Sequence, residues 1–252
     1  MTTTSIPRRL AMNLDKLKEA LLALHLKNFA EILDETLLKA EREKLSPADI
    51  LYLLASQEIA ARQQRLVKTR ILQAGFPTIK TIDAFDFSFP KAINKTQILN
   101  LLDLTFVNQK NNVILMGPPG IGKTHLALAL GHQACLQGVK TIFTTAINLV
   151  NHLSASLADN SFLRTMKLFT SPRLLIIDEL GYLPVDKQGA ELLFQVISNR
   201  YECGSIVVTT NRAFRDWGTL LNNDNTLASA MIDRLVHHGV LVQIKGESYR
   251  IK

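Results

Sequence analysis

Residues 112–124 read Asn112-Val113-Ile114-Leu115-Met116-Gly117-Pro118-Pro119-Gly120-Ile121-Gly122-Lys123-Thr124, an apolar run that ends in a glycine-rich turn. Gly117 to Thr124 satisfy G-x-x-x-x-G-K-[ST] in full. Glycines let the backbone curl so that successive N–H groups converge on phosphate oxygens. Lys123 suits neutralisation of the β- and γ-phosphates, and the Thr124 hydroxyl suits coordination of Mg2+. The context agrees: a strand over Asn112–Met116 enters the turn, and a helix over Thr124–Gln137 is expected to leave it with its positive end toward the phosphates. The nucleotide contacts expected are therefore Gly117, Pro118, Pro119, Gly120, Ile121, Gly122, Lys123 and Thr124, with His125 directly after them.

Further along, Leu174-Leu175-Ile176-Ile177 is a second apolar run, closed by Asp178-Glu179. An acidic pair at the C-terminal end of a buried strand sits where open α/β sheets bind ligands. Asp178 is expected to hold Mg2+ with Thr124, and Glu179 to polarise the attacking water as general base. A third run, Ile206-Val207-Val208-Thr209-Thr210, ends at Asn211. Its amide suits the γ-phosphate or the lytic water, although asparagine is also common in plain turns.

Outward from these runs the pattern is consistent. Val113–Met116, Thr141–Thr144, Leu174–Ile177, Ile206–Thr209 and Val240–Ile244 alternate with amphipathic stretches, which predicts a parallel sheet flanked by helices. Residues 1–74 read as helix throughout. Ser46-Pro47-Ala48-Asp49 is a helix start, and the helix is expected to run to Ala74 and stop at Gly75. The division expected is a helical domain over 1–74, a linker over 75–97 rich in phenylalanine, and an α/β domain over 98–252. The linker phenylalanines suit either an adenine pocket or simple packing.

The chain has 252 residues and a net charge of +7, unevenly spread. Residues 1–60 carry eight Lys/Arg against nine Asp/Glu, whereas residues 61–110 carry eight against three. Arg62, Arg65, Lys68 and Arg70 make one positive helix end, with Lys80 in the linker. A local basic block suits a polyanion such as DNA, and it equally suits a solvated helix face. There is no run of about 18 apolar residues for a membrane span and no signal-peptide pattern. Cys135 and Cys203 lack disulfide-framework or metal-ligand spacing. A cytoplasmic protein is expected.

Taken together, these motifs resemble an AAA+ module of the initiator and helicase-loader group. They are more closely similar to the IstB-like helper ATPases of insertion-sequence transposition. Carrying the likeness are GPPGIGKTHL (Gly117–Leu126), LLIIDELGYLP (Leu174–Pro184), TNRAFRDW (Thr210–Trp217), DRLVHH (Asp233–His238) and GESYRIK (Gly246–Lys252). The resemblance implies that Arg234 is an arginine finger acting on a neighbouring subunit's γ-phosphate. It implies that Arg250 is a second-sensor arginine touching ATP in its own subunit. It also implies an ATP-dependent homo-oligomer on double-stranded DNA that assists a DNA transposase. A replicative-helicase loader of the DnaC type shares this core and is the alternative.

Overall fold

The computed structural model describes residues 8–249, with side chains from residue 14 onward. The chain forms two compact units, Met1–Lys68 and Thr69–Lys252.

In the first unit, α1 (Arg8–Ala23), α2 (Lys27–Glu43) and the start of α3 (Pro47–Ala74) pack around Leu21, Ala30, Leu33 and Leu54. These apolar positions recur at helical spacing, so each helix presents one stripe to the others. Helix α2 stops at Lys44, which takes a left-handed φ of 53°. Helix α3 starts on a reciprocal cap. The Asp49 N–H donates to Ser46 Oγ at 3.2 Å, and the Ser46 N–H donates back to Asp49 Oδ2 at 3.1 Å. It ends at Ala74, as the sequence predicts, because Gly75 adopts φ +72°.

The second unit opens with the end of α3, a loop, and the short helices α4 (Lys95–Leu101) and α5 (Thr105–Asn108). Then come β1 (Asn112–Met116), α6 (Lys123–Leu136), β2 (Thr141–Thr145), α7 (Ala146–Ala158), α8 (Phe162–Thr170) and β3 (Leu174–Leu180). They are followed by α9 (Lys187–Arg200), β4 (Ser205–Thr210), α10 (Trp217–Leu220), α11 (Asn225–Val236) and β5 (Gly239–Gln243). All strand pairings are parallel, in the order β2-β3-β4-β1-β5.

Successive side chains on a strand point to opposite faces, and both faces here are covered. Leu175, Ile177, Ile206 and Val208 pack under α7, α8, α9 and α11. Leu174, Ile176, Val113, Leu115 and Val207 pack under α4, α5 and α6. The loop residues Phe76, Phe85 and Phe87 join that second core, and Ala92 pairs with Lys245 beside β5. Among the described residues, no helix is long and apolar enough to cross a membrane.

Two polar side chains tie the sheet together at its N-terminal edge. Asn112 donates to the carbonyls of Arg234 and Leu235, both at 3.2 Å, and accepts from the Ile206 N–H at 2.9 Å. Arg200 is buried at the end of α9, where it donates to the carbonyls of Phe169, Thr170, Pro172, Arg173 and Ser205. Burial pushes its guanidinium down to about 10, which still leaves it charged at neutral pH.

Candidate active site

The strand order brings three chain segments to one edge. Strand β4 lies between β1, which leads into the Gly117–Thr124 loop, and β3, which ends in the acidic pair. The loop is anchored by the Gly117 N–H donating to the Thr210 carbonyl at 3.1 Å. Gly120 and Gly122 adopt φ of +75° and +99°, which side chains bearing a Cβ rarely take. There is also no room for one: a Cβ at Gly120 meets Ser248 Oγ at 2.1 Å, and at Gly122 it meets the Phe85 ring at 2.6 Å. The Tyr249 N–H donates to the Gly120 carbonyl at 2.9 Å. The segment just before Arg250 therefore lies on the loop, while Arg250 itself is outside the described residues.

Lys123 is buried and donates to the carbonyls of Gly117 and Pro118 at 2.8 and 2.7 Å. A lysine curled back over its own glycine loop keeps its charge at the place where phosphate oxygens would replace those carbonyls. The Thr124 hydroxyl donates to the Asp178 carboxylate at 3.0 Å. Asp178 is 3% exposed and also accepts from the Thr209 hydroxyl at 2.5 Å. Among the described residues no cation pairs with this buried carboxylate. A hard divalent cation fits that donor set of one carboxylate and one hydroxyl beside a phosphate cradle.

Glu179 differs from its neighbour in three ways: it is exposed, its φ is +59°, and it sits in a bulge. Ile177 pairs with Val208 and Leu180 with Thr210, so β3 carries one extra residue there. A bulge re-aims a side chain. Left-handed backbone at a residue other than glycine costs about 1 kcal/mol, and such strain clusters at functional sites. Asn211 follows directly after β4 and is half-buried between the loop and the acidic pair.

A cavity of about 510 Å³ opens beside the loop, lined by Lys80, Phe85, Phe89, Lys123, Thr124 and His125 among others. His125 holds its wall in place: Nε2 lies 2.8 Å from the Thr81 carbonyl and the ring packs edge-on against Phe85 at 5.3 Å. Lys80, expected among the DNA contacts, lines this cavity.

The remaining expected residues lie elsewhere. Arg234, near the end of α11, is half-exposed; it donates to the Ala230 carbonyl at 3.0 Å and lies over the Phe194 ring, 4.8 Å from its centroid. Arg62 and Arg65 both bond Glu58 Oε1, at 3.1 and 3.0 Å, and Arg62 also donates to the His25 carbonyl. Glu58 is 3% exposed and accepts from the Phe29 N–H at 3.0 Å. Burial works against its charged form, but the Phe29 amide and the two guanidiniums outweigh that and hold the carboxyl below its ordinary value. Lys68 is exposed, and Arg70 is half-buried near Gly138 in the second unit. Sequence reading passed over Thr209, Phe194 and Glu58. Thr209 reads as one more β-branched strand residue, and nothing local reveals the partners of the other two.

A five-stranded parallel sheet with this strand order, a glycine loop closing on Lys123 and Thr124, and Asp178 within reach of Thr124 define a P-loop ATPase of the AAA+ class. The family described as IstB-like ATP binding protein matches residues 19–252, and the chain belongs to it. The chain is 42% identical over 229 residues to the protein named as the ATP-binding protein of insertion sequence IS5376 from Geobacillus stearothermophilus, covering 91% of each. It is 39% identical to the corresponding protein of insertion sequence IS21 from Pseudomonas aeruginosa, covering 95% of this chain and 87% of that one. Among solved structures, DnaI matches with a TM-score of 0.57 at 16% identity, over 66% of this chain and 91% of that one. The DnaC helicase loader matches with a TM-score of 0.53 at 21% identity, over 66% and 96%. These two likenesses concern the fold.

Proposed function

We propose that this ATPase is a DNA-associated helper of a DNA transposase, assembling on duplex DNA when ATP is bound and coming apart when ATP is hydrolysed. The observation that carries the reading is family membership over residues 19–252, which takes in most of the helical unit as well as the ATPase unit. The two relatives above are named for insertion sequences.

At the active site, the N–H groups of Gly120, Ile121 and Gly122, with those that open α6, receive the phosphate oxygens, and Lys123 exchanges its two loop carbonyls for the β- and γ-phosphates. Thr124 and Asp178 hold Mg2+, whose contribution is to neutralise charge on those phosphates. Glu179 takes a proton from the attacking water at its carboxylate, and its exposed, bulge-aimed position supports that role. Asn211 orients the water or the γ-phosphate. Phe85 and Phe89 border the adenine, in the cavity that Lys80 and His125 also line. Arg234 acts on the γ-phosphate of a neighbouring subunit and Arg250 contacts ATP in its own, so turnover requires assembly.

DNA is held through its phosphates, with Lys68 and Arg70 as contacts and Arg62 and Arg65 sharing their charge with Glu58. Such binding weakens steeply with salt.

The test measures DNA binding and particle size together, on duplex and single-stranded oligonucleotides with ATP, ADP or neither. Growth into a multi-subunit complex on duplex DNA only with ATP is the expected result. A preference for single strands would replace this reading with that of a replicative-helicase loader.

A further inference from the structure

One hydroxyl connects the two acids at the end of β3. The Thr209 Oγ1–H donates to Asp178 Oδ1 at 2.5 Å, and the same oxygen accepts the Glu179 N–H at 2.9 Å. Thr209 is 1% exposed and Asp178 3%, so the hydroxyl–carboxylate bond is buried, while the bond from the Glu179 amide is part-buried.

The bulge explains why a side chain is needed there. With Ile177 paired to Val208 and Leu180 to Thr210, Glu179 stands outside the regular ladder, and its amide is bonded to a side-chain oxygen. A buried amide without an acceptor is unfavourable, and a left-handed φ at a glutamate persists only where its surroundings enforce it. The Thr209 hydroxyl enforces it from one side and orients the Asp178 carboxylate from the other. Valine has the same shape and offers neither bond.

We propose that Thr209 is a positioning residue for hydrolysis, fixing the bulge that aims Glu179 and the carboxylate orientation that Asp178 offers to Mg2+. The proposal rests on the assignment of Asp178 and Glu179 to metal binding and water activation. Thr209 touches neither substrate nor water; it acts through those two residues.

The test compares Thr209→Val, Thr209→Ser and Glu179→Gln in the full-length protein with DNA. Steady-state hydrolysis is read beside the affinity for a non-hydrolysable ATP analogue with and without Mg2+. Thr209→Val is expected to lower kcat by about tenfold or more, since a misaimed base loses much of its general-base contribution. Without Mg2+, its analogue affinity is expected to stay within about threefold of the parent. The gain in affinity on adding Mg2+ is expected to shrink by about threefold or more, because the metal loses an oriented carboxylate. Thr209→Ser keeps the hydroxyl and is expected to restore both readouts.

Three results would overturn the proposal. A valine variant with parental kcat and parental Mg2+ dependence, beside an inactive Glu179→Gln, removes Thr209 while leaving the acidic pair in place. A serine variant as impaired as the valine one shows that packing, not the hydroxyl, is what matters. A Glu179→Gln protein that hydrolyses ATP at the parental rate removes the underlying assignment and this proposal with it.

Discussion

The guanidinium carbon of Arg234 lies over the ring of Phe194 on α9, 4.8 Å from its centroid, while one of the guanidinium nitrogens donates to the Ala230 carbonyl. The contact restrains the side chain and leaves other guanidinium donors, which is compatible with the proposed action on a neighbouring subunit.

From this arrangement, Arg234→Ala is expected to bind ATP normally and to lose turnover by a factor on the order of a thousand. Mixing it with Lys123→Ala subunits should restore part of the activity, since each supplies what the other lacks. Phe194→Ala should keep the arginine but release it, lowering turnover about two- to fivefold for the roughly 0.5–1 kcal/mol of a half-exposed cation–π contact. Turnover in mixed samples checks both. Absence of recovery in the mixture would refute action between subunits.

The two ends of the catalytic apparatus should separate cleanly. Lys123→Ala is expected to abolish nucleotide binding, measured by titration of a fluorescent ATP analogue. Glu179→Gln is expected to bind ATP and to remain assembled on duplex DNA, and the parent protein is expected to disassemble as ATP is consumed; sizing by light scattering over time distinguishes them.

Crowding at the glycine loop makes a sharper forecast. Gly120→Ala combines a left-handed φ with a Cβ placed 2.1 Å from Ser248 Oγ. Stability is expected to fall by about 1–2 kcal/mol and nucleotide affinity by at least about tenfold, since the amides no longer converge. Urea unfolding and analogue titration read the two effects independently.

Acid should loosen the helical unit selectively. The Glu58 carboxyl titrates below its ordinary value in the folded protein. Its contribution is therefore present above the unfolded value of about 4.3 and is lost as pH falls through the folded one. Protection of the α1–α3 amides against hydrogen exchange in the full-length chain, taken relative to the unprotected rate at each pH, is expected to fall below about pH 4.3, and Glu58→Gln should be less protected at neutral pH with a shallower acid dependence. Salt is expected to soften the difference, because Arg62 and Arg65 are half-exposed.

Arg200→Met should test the buried knot beneath the sheet. Five carbonyls lose the guanidinium, although that of Arg173 keeps the Ser205 N–H, and a loss of at least about 3 kcal/mol in urea unfolding is expected. A smaller change would mean that water replaces the guanidinium there.

Much of this molecule was legible in its sequence because its main signals are local. The glycine loop, the apolar run into Asp178-Glu179 and the cap at Ser46 each declare themselves within a few residues. The strand order was not legible: five apolar runs carry no mark of their neighbours, and only the fold inserts β4 between β1 and β3. The partners of charged residues were not legible for the same reason. Nothing near Arg62 and Arg65 in the sequence marks Glu58 as their buried partner. Thr209 is hidden in a β-branched strand, since its importance depends on a bulge in a different segment.

Strand β1 carries the phosphate loop, yet both its neighbours come from the last third of the chain: β4 over Ser205–Thr210 and β5 over Gly239–Gln243. During synthesis, the loop is made early, and β1 stays without a flanking strand for the eighty residues between Thr124 and Ser205. A chain cut short before β4 has the whole phosphate-binding motif but no sheet to hold it open. Nucleotide capture is thus expected only from chains long enough to include β4.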